Sequence, residues 1–348
     1  MKLPLPALPA VAFLLATAVP AQPGIPLAFH DSVPAWLASA HVPGLAVAVL
    51  ENGMVTSIRT FGELRPGIPL TPRALFNVAS LTKPVTAVTA LRLASADKLS
   101  LDAPLDPDWI DPDIRDDPRH SKLTARIVLS HQTGFPTWRH MLPSKKLVFT
   151  FDPGTKFGYS GEGYEYLRVA LGNHLHTTLP HLADSIIFEP LGMKETTFGW
   201  NPAMDTLRFA IGHDTVGAII NGGVRTTDHP SAADWLVTTI SDYSKFAQLV
   251  LDGAGLSPTL YAEMIKPQVQ LSGKPGEAMG LGWEVMKGPP EDPILLLHTG
   301  SDDGIKTMIL LLPKSKRGLV IFSNGERGMD VIVKILHEAL HLKELDRS

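Results

Sequence analysis

The sequence predicts an α+β fold in which helices flank an antiparallel sheet that is built from both ends of the chain. Strand patterns followed by a helix occur before about residue 100, and they return after about residue 275. Between them, helical segments alternate with loops rich in Pro and Gly. This order favours one discontinuous domain, residues 35–100 and 275–348, with residues 101–274 inserted as a mostly helical domain.

The first two strands are predicted to form a hairpin. In GLAVAVLENGMVTSIRTFGEL, two apolar runs flank Asn52-Gly53, a dipeptide typical of two-residue hairpin turns. The next segment, FNVASLTKPVTAVTALRLASADKLSL, is predicted to be a buried helix because apolar residues cover most of its surface.

The inserted segment contains four helical patterns: LTARIVLSHQTGFP, GEGYEYLRVALGNHL, HLADSIIFEPLGM and TISDYSKFAQLVLDGAG. His131, in the first of them, is expected to be a packed or capping histidine. Strand patterns then return as GLGWEVM, LLLHTG, GIKTMILLLP and GLVIFSNGE, and the helix VIVKILHEALHL ends the pattern. A cleft between the two parts is where we expect a ligand.

The composition excludes several classes of function. With 44% hydrophobic and 19% charged residues, the chain of 348 residues has enough apolar material for a packed core. Its net charge of -4 and its lack of a basic block argue against nucleic acid as a partner. The sequence contains no cysteine, so disulfides and a thiol nucleophile are excluded.

The N-terminus, MKLPLPALPAVAFLLATAVPAQ, resembles a secretory signal. One lysine precedes an apolar run that ends in small residues, which predicts a signal peptide of residues 1–21. The alternative is an uncleaved N-terminal anchor. Because no later stretch is long and apolar enough to cross a bilayer, we expect a secreted or periplasmic protein with no membrane span after cleavage.

Ser80 and Lys83 form the first candidate catalytic element. At positions i and i+3 of a helix start, the two side chains share one face, so the amine lies near the hydroxyl. The helix N-terminus also favours the negative charge that develops on a nucleophile. The alternative is a helix cap followed by a solvated lysine, but the flanking residues are apolar.

Tyr159 lies in the second element, the glycine-rich sequence GYSGEGY that precedes a predicted helix. A phenol is a poor base by itself, but a neighbouring lysine would favour its anion and lower its pKa. The alternative is a packed loop tyrosine with a hydrogen-bonded hydroxyl.

The third element is His298-Thr299-Gly300-Ser301, at the end of a predicted strand. A glycine at a strand edge lets a substrate approach the backbone. The N–H groups of Ser301 and Ser80 would then form an oxyanion hole. The alternative is an ordinary strand end followed by a turn.

Ser-x-x-Lys, Tyr-Ser-x and His-Thr-Gly, in this order, resemble the motifs of the serine β-lactamase and penicillin-binding-protein superfamily. The branch that matches best holds class C β-lactamases, D-alanyl-D-alanine carboxypeptidase-like enzymes and β-lactamase-like esterases. FNVASLTKPVTA, FDPGTKFGYSGEGY and FEPLGMKETTF carry the same resemblance, which extends from VPGLAVAVLENG to the last helix.

The resemblance implies a β-lactamase/transpeptidase-like fold and acyl transfer without a cofactor. Ser80 would attack an ester or amide carbonyl, and Lys83 and Tyr159 would share the transfer of its proton. The N–H groups of Ser80 and Ser301 would hold the oxyanion. Four further residues are expected to line the substrate site: Ser160, His298, Thr299 and Gly300.

Two positions depart from the β-lactamase pattern. Gly161 stands where β-lactamases often have asparagine, so an amide contact to the substrate is absent. His298 replaces the lysine of the class C motif, and a histidine is expected to be only partly charged near pH 7. We therefore expect an ester or a peptide amide as substrate rather than efficient β-lactam hydrolysis.

The last helix contains His337-Glu-Ala-Leu-His341, which has the H-E-x-x-H spacing of zinc peptidases. Catalytic zinc needs a third protein ligand, and only seven residues follow His341. Both histidines also lie on the polar stripe of an amphipathic helix. A solvated helix face is therefore the favoured interpretation, and no metal site is expected.

The sequence thus predicts an exported serine hydrolase, an esterase or D-amino-acid peptidase-like enzyme. Its expected partners are small ester or peptide substrates, with peptidoglycan fragments as candidates. The alternatives are a catalytically silent scaffold of the same fold and, less favoured, a zinc peptidase that uses His337 and His341.

Overall fold

The computed structural model describes residues 25–200, 202–220, 229–271 and 273–340. The predicted signal peptide, residues 1–21, and the second histidine of the H-E-x-x-H sequence, His341, lie outside these residues. Among the helices that the model describes, none is long and apolar enough to cross a membrane.

A large antiparallel sheet of nine strands forms the centre of the structure, in the order β3-β2-β1-β12-β11-β10-β9-β8-β7. A second sheet has three strands in the order β4-β6-β5. The strands are β1 Gly44–Glu51, β2 Met54–Arg65, β3 Ile68–Pro69, β4 Phe76–Asn77, β5 Thr197–Phe198, β6 Leu236–Thr238, β7 Val269–Gln270, β8 Glu277–Met279, β9 Glu284–Lys287, β10 Ile294–Asp302, β11 Ile305–Leu312 and β12 Arg317–Ser323.

Helices flank the large sheet. They are α1 Phe29–Ala40, α2 Thr82–Ser95, α3 Ala125–Leu129, α4 Gly161–Leu175, α5 Leu179–Ala183, α6 Glu189–Leu191, α7 Ile240–Leu251, α8 Pro258–Met264 and α9 Gly328–Leu340. Helices α2 to α8 lie in the segment between β4 and β7. A short 3-10 turn, Ala79–Leu81, leads into α2.

The two ends of the chain meet in the middle of the large sheet. Strand β1 pairs with β2 on one side and with β12 on the other, where Val47 lies opposite Ile321. Asn52 and Gly53 have φ of 53° and 77°, the left-handed values that a type I′ hairpin turn requires. The predicted α+β fold, with a sheet built from both chain ends, is confirmed; the domain boundaries stay a prediction.

The large sheet has an apolar layer on each face. Alternating side chains of β12 divide between the layers, with Ile321 packing towards α1 and α9 and Phe322 towards α2 and α7. Helix α9 therefore lies on the face opposite α2, so His337 is separated from Ser80 by the sheet. No group of three histidine, aspartate or glutamate residues suited to a metal occurs among the described residues.

Replacing Phe322 by alanine should lower the free energy of unfolding by about 3–5 kcal/mol, because a fully buried ring leaves a cavity. Phe322 is 0% exposed and its ring centroid lies 5.4 Å from that of Phe76. Urea denaturation measures the change. The control is Leu207→Ala, whose side chain is 69% exposed and should cost little; equal losses in both variants would contradict the packing described.

Candidate active site

Ser80 lies in a sharp turn at the start of α2. The preceding residue, Ala79, has φ of 49°, a left-handed conformation that costs on the order of 1–3 kcal/mol in a residue with a side chain. The Ala79 N–H donates to Asn77 Oδ1 at 3.0 Å, and Asn77 Nδ2 donates to Asp302 Oδ2 at 2.9 Å. These bonds tie the turn to β10 and leave Ser80 partly exposed between buried neighbours.

Lys83 is completely buried and points at the Ser80 hydroxyl. Its Nζ lies 3.0 Å from Ser80 Oγ and donates a second hydrogen bond, of 2.7 Å, to the carbonyl oxygen of Ala233. The Ala233 segment is fixed in turn, because the neighbouring Ala232 carbonyl accepts from Thr86 Oγ1 at 2.7 Å. Sequence reasoning missed this carbonyl, since a backbone acceptor 150 residues away leaves no local pattern.

Tyr159 completes the group that the sequence predicted. Lys83 Nζ lies 4.7 Å from the centroid of its ring, a cation–π contact that brings the phenol beside the amine. The imidazole of His131 stacks on the tyrosine ring, with 4.4 Å between the centroids and an interplanar angle of 28°. The structure therefore brings Ser80, Lys83 and Tyr159 together from α2 and the loop before α4.

Hydrogen bonds to His131 fix the backbone on both sides of Tyr159. Its carbonyl oxygen accepts from the Gly158 N–H at 2.8 Å, and its Nδ1 accepts from the Ser160 N–H at 3.1 Å. Burial, and to a smaller extent the charge of Lys83, hold the pKa of His131 well below its ordinary value of 6.5. The expected packed histidine is therefore a neutral support for the tyrosine.

The third motif lies where β10 continues past its pairing with β9. That pairing ends at Leu297, and in the described part of the chain the rest of β10 pairs with β11 alone. The turn that carries Ser80 lies directly over Gly300, where a Cβ would come 2.4 Å from the Val78 carbonyl oxygen. Ser80 and Ser301 thus lie in adjacent segments, as an oxyanion hole between them requires.

His298 is not partly charged near pH 7, so that expectation is wrong. The side chain is 2% exposed, and its Nδ1 lies 2.9 Å from the Thr299 carbonyl oxygen. Burial and then the charge of Lys83 lower the pKa of His298 to about 3. The imidazole is neutral at pH 7, and it supplies no cation for a substrate carboxylate. The sequence showed a strand end but not the depth of burial.

Ser160 caps α4 instead of facing a substrate. Its Oγ donates to the Pro136 carbonyl oxygen at 2.7 Å and accepts from the Gly163 N–H at 3.1 Å. The residue is 1% exposed, and its own N–H donates to His131. The hydroxyl and the N–H are both used within the protein, so a helix cap replaces the expected substrate contact.

Replacing His298 by glutamine should weaken the dependence of the free energy of unfolding on pH below pH 6.5. The folded-state pKa of about 3 lies below the ordinary value of 6.5, so the unfolded chain binds the proton first as the pH falls. The free energy of unfolding therefore falls as the pH is lowered from 6.5 to about 3. His298→Gln should reduce the slope by one proton, about 1.4 kcal/mol per pH unit.

Urea denaturation at several pH values between 4 and 7 measures this slope. The control is His181→Gln, because His181 is exposed on α5. An unchanged slope in His298→Gln would contradict a buried neutral imidazole.

Comparison with known proteins shows the family. The profile of the Beta-lactamase family matches residues 29–343. D-alanyl-D-alanine-carboxypeptidase/endopeptidase AmpH of Escherichia coli K12 is 25% identical over 311 residues, which cover 80% of this chain and 78% of the relative. Protein flp of Staphylococcus aureus MW2 is 22% identical over 83% of this chain. This chain spans 61% of the length of flp.

Solved structures show the same fold. D-amino acid amidase from Ochrobactrum anthropi SV3, in complex with L-phenylalanine, superposes with a TM-score of 0.74 at 22% identity. The superposition covers 89% of this chain and 98% of the amidase. The fold, the site geometry and the profile match over most of the chain agree, and the chain belongs to the beta-lactamase family.

Proposed function

We propose that this chain is a serine hydrolase that forms an acyl-enzyme on Ser80 from an ester or an amide. The observation that carries the proposal is the 3.0 Å contact between Ser80 Oγ and the buried Lys83 Nζ. A partly exposed hydroxyl next to a buried amine is the arrangement that nucleophilic catalysis requires. Membership of the beta-lactamase family supports a serine-hydrolase-like function.

The reaction would proceed in two stages. As Ser80 Oγ bonds to the substrate carbonyl carbon, its proton passes to the pair formed by Lys83 and Tyr159. The same pair gives the proton to the leaving oxygen or nitrogen as that bond breaks. Water then attacks the acyl carbon and gives a proton to the same pair, which passes it to Ser80 Oγ as the acyl–oxygen bond breaks. The acid leaves and the Ser80 hydroxyl is restored. The N–H groups of Ser80 and Ser301 would stabilise the oxyanion in both stages.

The substrate would be an ester or a D-amino-acid amide rather than a β-lactam. A neutral His298 offers no fixed charge to a carboxylate, and Gly161 offers no side-chain amide. Two of the similar proteins carry names that refer to D-amino-acid derivatives, one a D-alanyl-D-alanine-carboxypeptidase and the other a D-amino acid amidase. Peptidoglycan fragments without a free carboxylate next to the scissile amide are therefore candidate substrates, and the N-terminal sequence supports export to the compartment that holds them.

Incubation with a fluorophosphonate should add one adduct to the wild-type protein and none to Ser80→Ala, as intact mass measures. Lys83→Met, which keeps the volume of the side chain without its amine, should slow labelling by about 10²-fold or more. The control is Ser95→Ala, an exposed serine at the other end of α2, which should label like the wild type. A folded wild type without adduct, or an adduct that persists in Ser80→Ala, would favour the silent scaffold.

Penicillins and cephalosporins should be poor substrates. Because neither His298 nor residue 161 supplies the expected contacts, kcat/KM for a β-lactam should lie about 10²-fold or more below that for an activated ester. Spectrophotometric assays on one preparation give both values. A kcat/KM for a β-lactam of about 10⁴ M⁻¹s⁻¹ or above would be typical of a good enzyme and would overturn this substrate assignment.

A further inference from the structure

The indole ring of Trp138 occupies the space into which a side chain at position 161 would project. A Cβ built on Gly161 would lie 2.4 Å from Trp138 Cη2, 2.5 Å from Cζ2 and 2.8 Å from Cζ3. Real Cβ atoms do not approach other atoms so closely, so the indole would have to shift. Gly161 and Trp138 are thus matched, since any larger residue at 161 would displace the indole.

This space is on the same side of the chain as the catalytic group. Ser160, between Tyr159 and Gly161, is extended, with φ of −145° and ψ of 119°. Side chains on either side of an extended residue point in the same direction. Lys83 Nζ lies over the Tyr159 ring, 4.7 Å from its centroid. A side chain at position 161 would therefore project on the same side of the segment as the Tyr159 ring. The indole therefore lies on the side of this segment where Tyr159 meets Lys83.

The backbone of Trp138 is fixed by hydrogen bonds on both sides. The Thr137 carbonyl oxygen accepts from the Gly161 N–H at 3.0 Å, and the Arg139 N–H donates to Glu162 Oε1 at 2.8 Å. The Arg139 guanidinium also binds Glu162 Oε2 at 2.8 Å and Asp111 at 2.8 Å. Trp138 is extended, so its ring points away from this ion-pair cluster, and it remains partly exposed.

We infer that Trp138 is one wall of a subsite for the acyl part of the substrate, and that this subsite takes an apolar group, aromatic or long-chain alkyl. The inference rests on the proposed acyl-enzyme at Ser80 and adds the class of acyl group to it. An indole face binds apolar surface and stacks with aromatic rings. The indole stacks with the His140 imidazole at 6.1 Å between ring centroids. With glycine at 161 it keeps this position, where a larger side chain would displace it.

The first experiment tests the packing through thermal unfolding, which needs no activity. Gly161→Ala should lower the melting temperature in the wild type, because the added methyl group meets the Trp138 ring. In a Trp138→Ala background the same change should be neutral or stabilising, because alanine favours a helix start more than glycine does. Equal effects of Gly161→Ala in the two backgrounds would overturn the match between the two residues.

The second experiment tests the choice of acyl group. Hydrolysis of p-nitrophenyl phenylacetate is compared with that of p-nitrophenyl acetate, since both esters have the same leaving group. The wild type should prefer the phenylacetyl ester, and Trp138→Ala should lower the ratio of the two kcat/KM values by about tenfold or more. Trp138→Phe should keep part of the preference.

Trp36→Ala is the control for this ratio. Trp36 is a partly exposed tryptophan on α1, on the opposite face of the large sheet, so the ratio should not change. The subsite alone would be overturned if Trp138→Ala left the ratio of the two kcat/KM values unchanged while the fluorophosphonate still labelled Ser80. A wild type that neither labels nor hydrolyses either ester would overturn the proposed function and the subsite together.

Discussion

The buried amine of Lys83 is the interaction on which the rest of the cleft depends. A lysine that is 0% exposed has lost its hydration, and this cost must be offset by partners at close range. Ser80 Oγ and the Ala233 carbonyl oxygen supply two of them, and the ring of Tyr159 supplies a third. One side chain thus contacts Ser80, Tyr159 and the distant Ala233 segment.

Burial is the main cause of how two histidines of the site titrate. His131 and His298 are both buried, and Lys83 adds to the lowering of their pKa values. They therefore contribute hydrogen bonds and packing rather than charge. The amine of Lys83 is thus the polar group that lies 3.0 Å from the Ser80 hydroxyl.

The sequence was sufficient to predict features that depend on local pattern. It was not sufficient for features that depend on how deeply a residue is buried or on contacts between remote segments. Asn52-Gly53 between two apolar runs predicted the hairpin, and the spacing of Ser80 and Lys83 predicted their contact. The neutral state of His298 depends on how deeply β10 is buried. The Ala233 carbonyl contact, the capping bonds of Ser160 and the overlap of Trp138 with position 161 arise only when segments remote in sequence pack together.

The pairing of β1 with β12 also determines the order in which the sheet can be completed. The two strands are separated by most of the chain, so β1 has a partner on one side only until residues 317–323 have been synthesised. During that time the hairpin of β1 and β2 presents an unpaired, apolar strand edge, which is a template for association with other chains. Closing so long a loop is slow, because its entropy is lost before the pairing is gained. The sheet therefore stays incomplete during synthesis, and pairing of β12 with β1 removes the strand edge that favours aggregation.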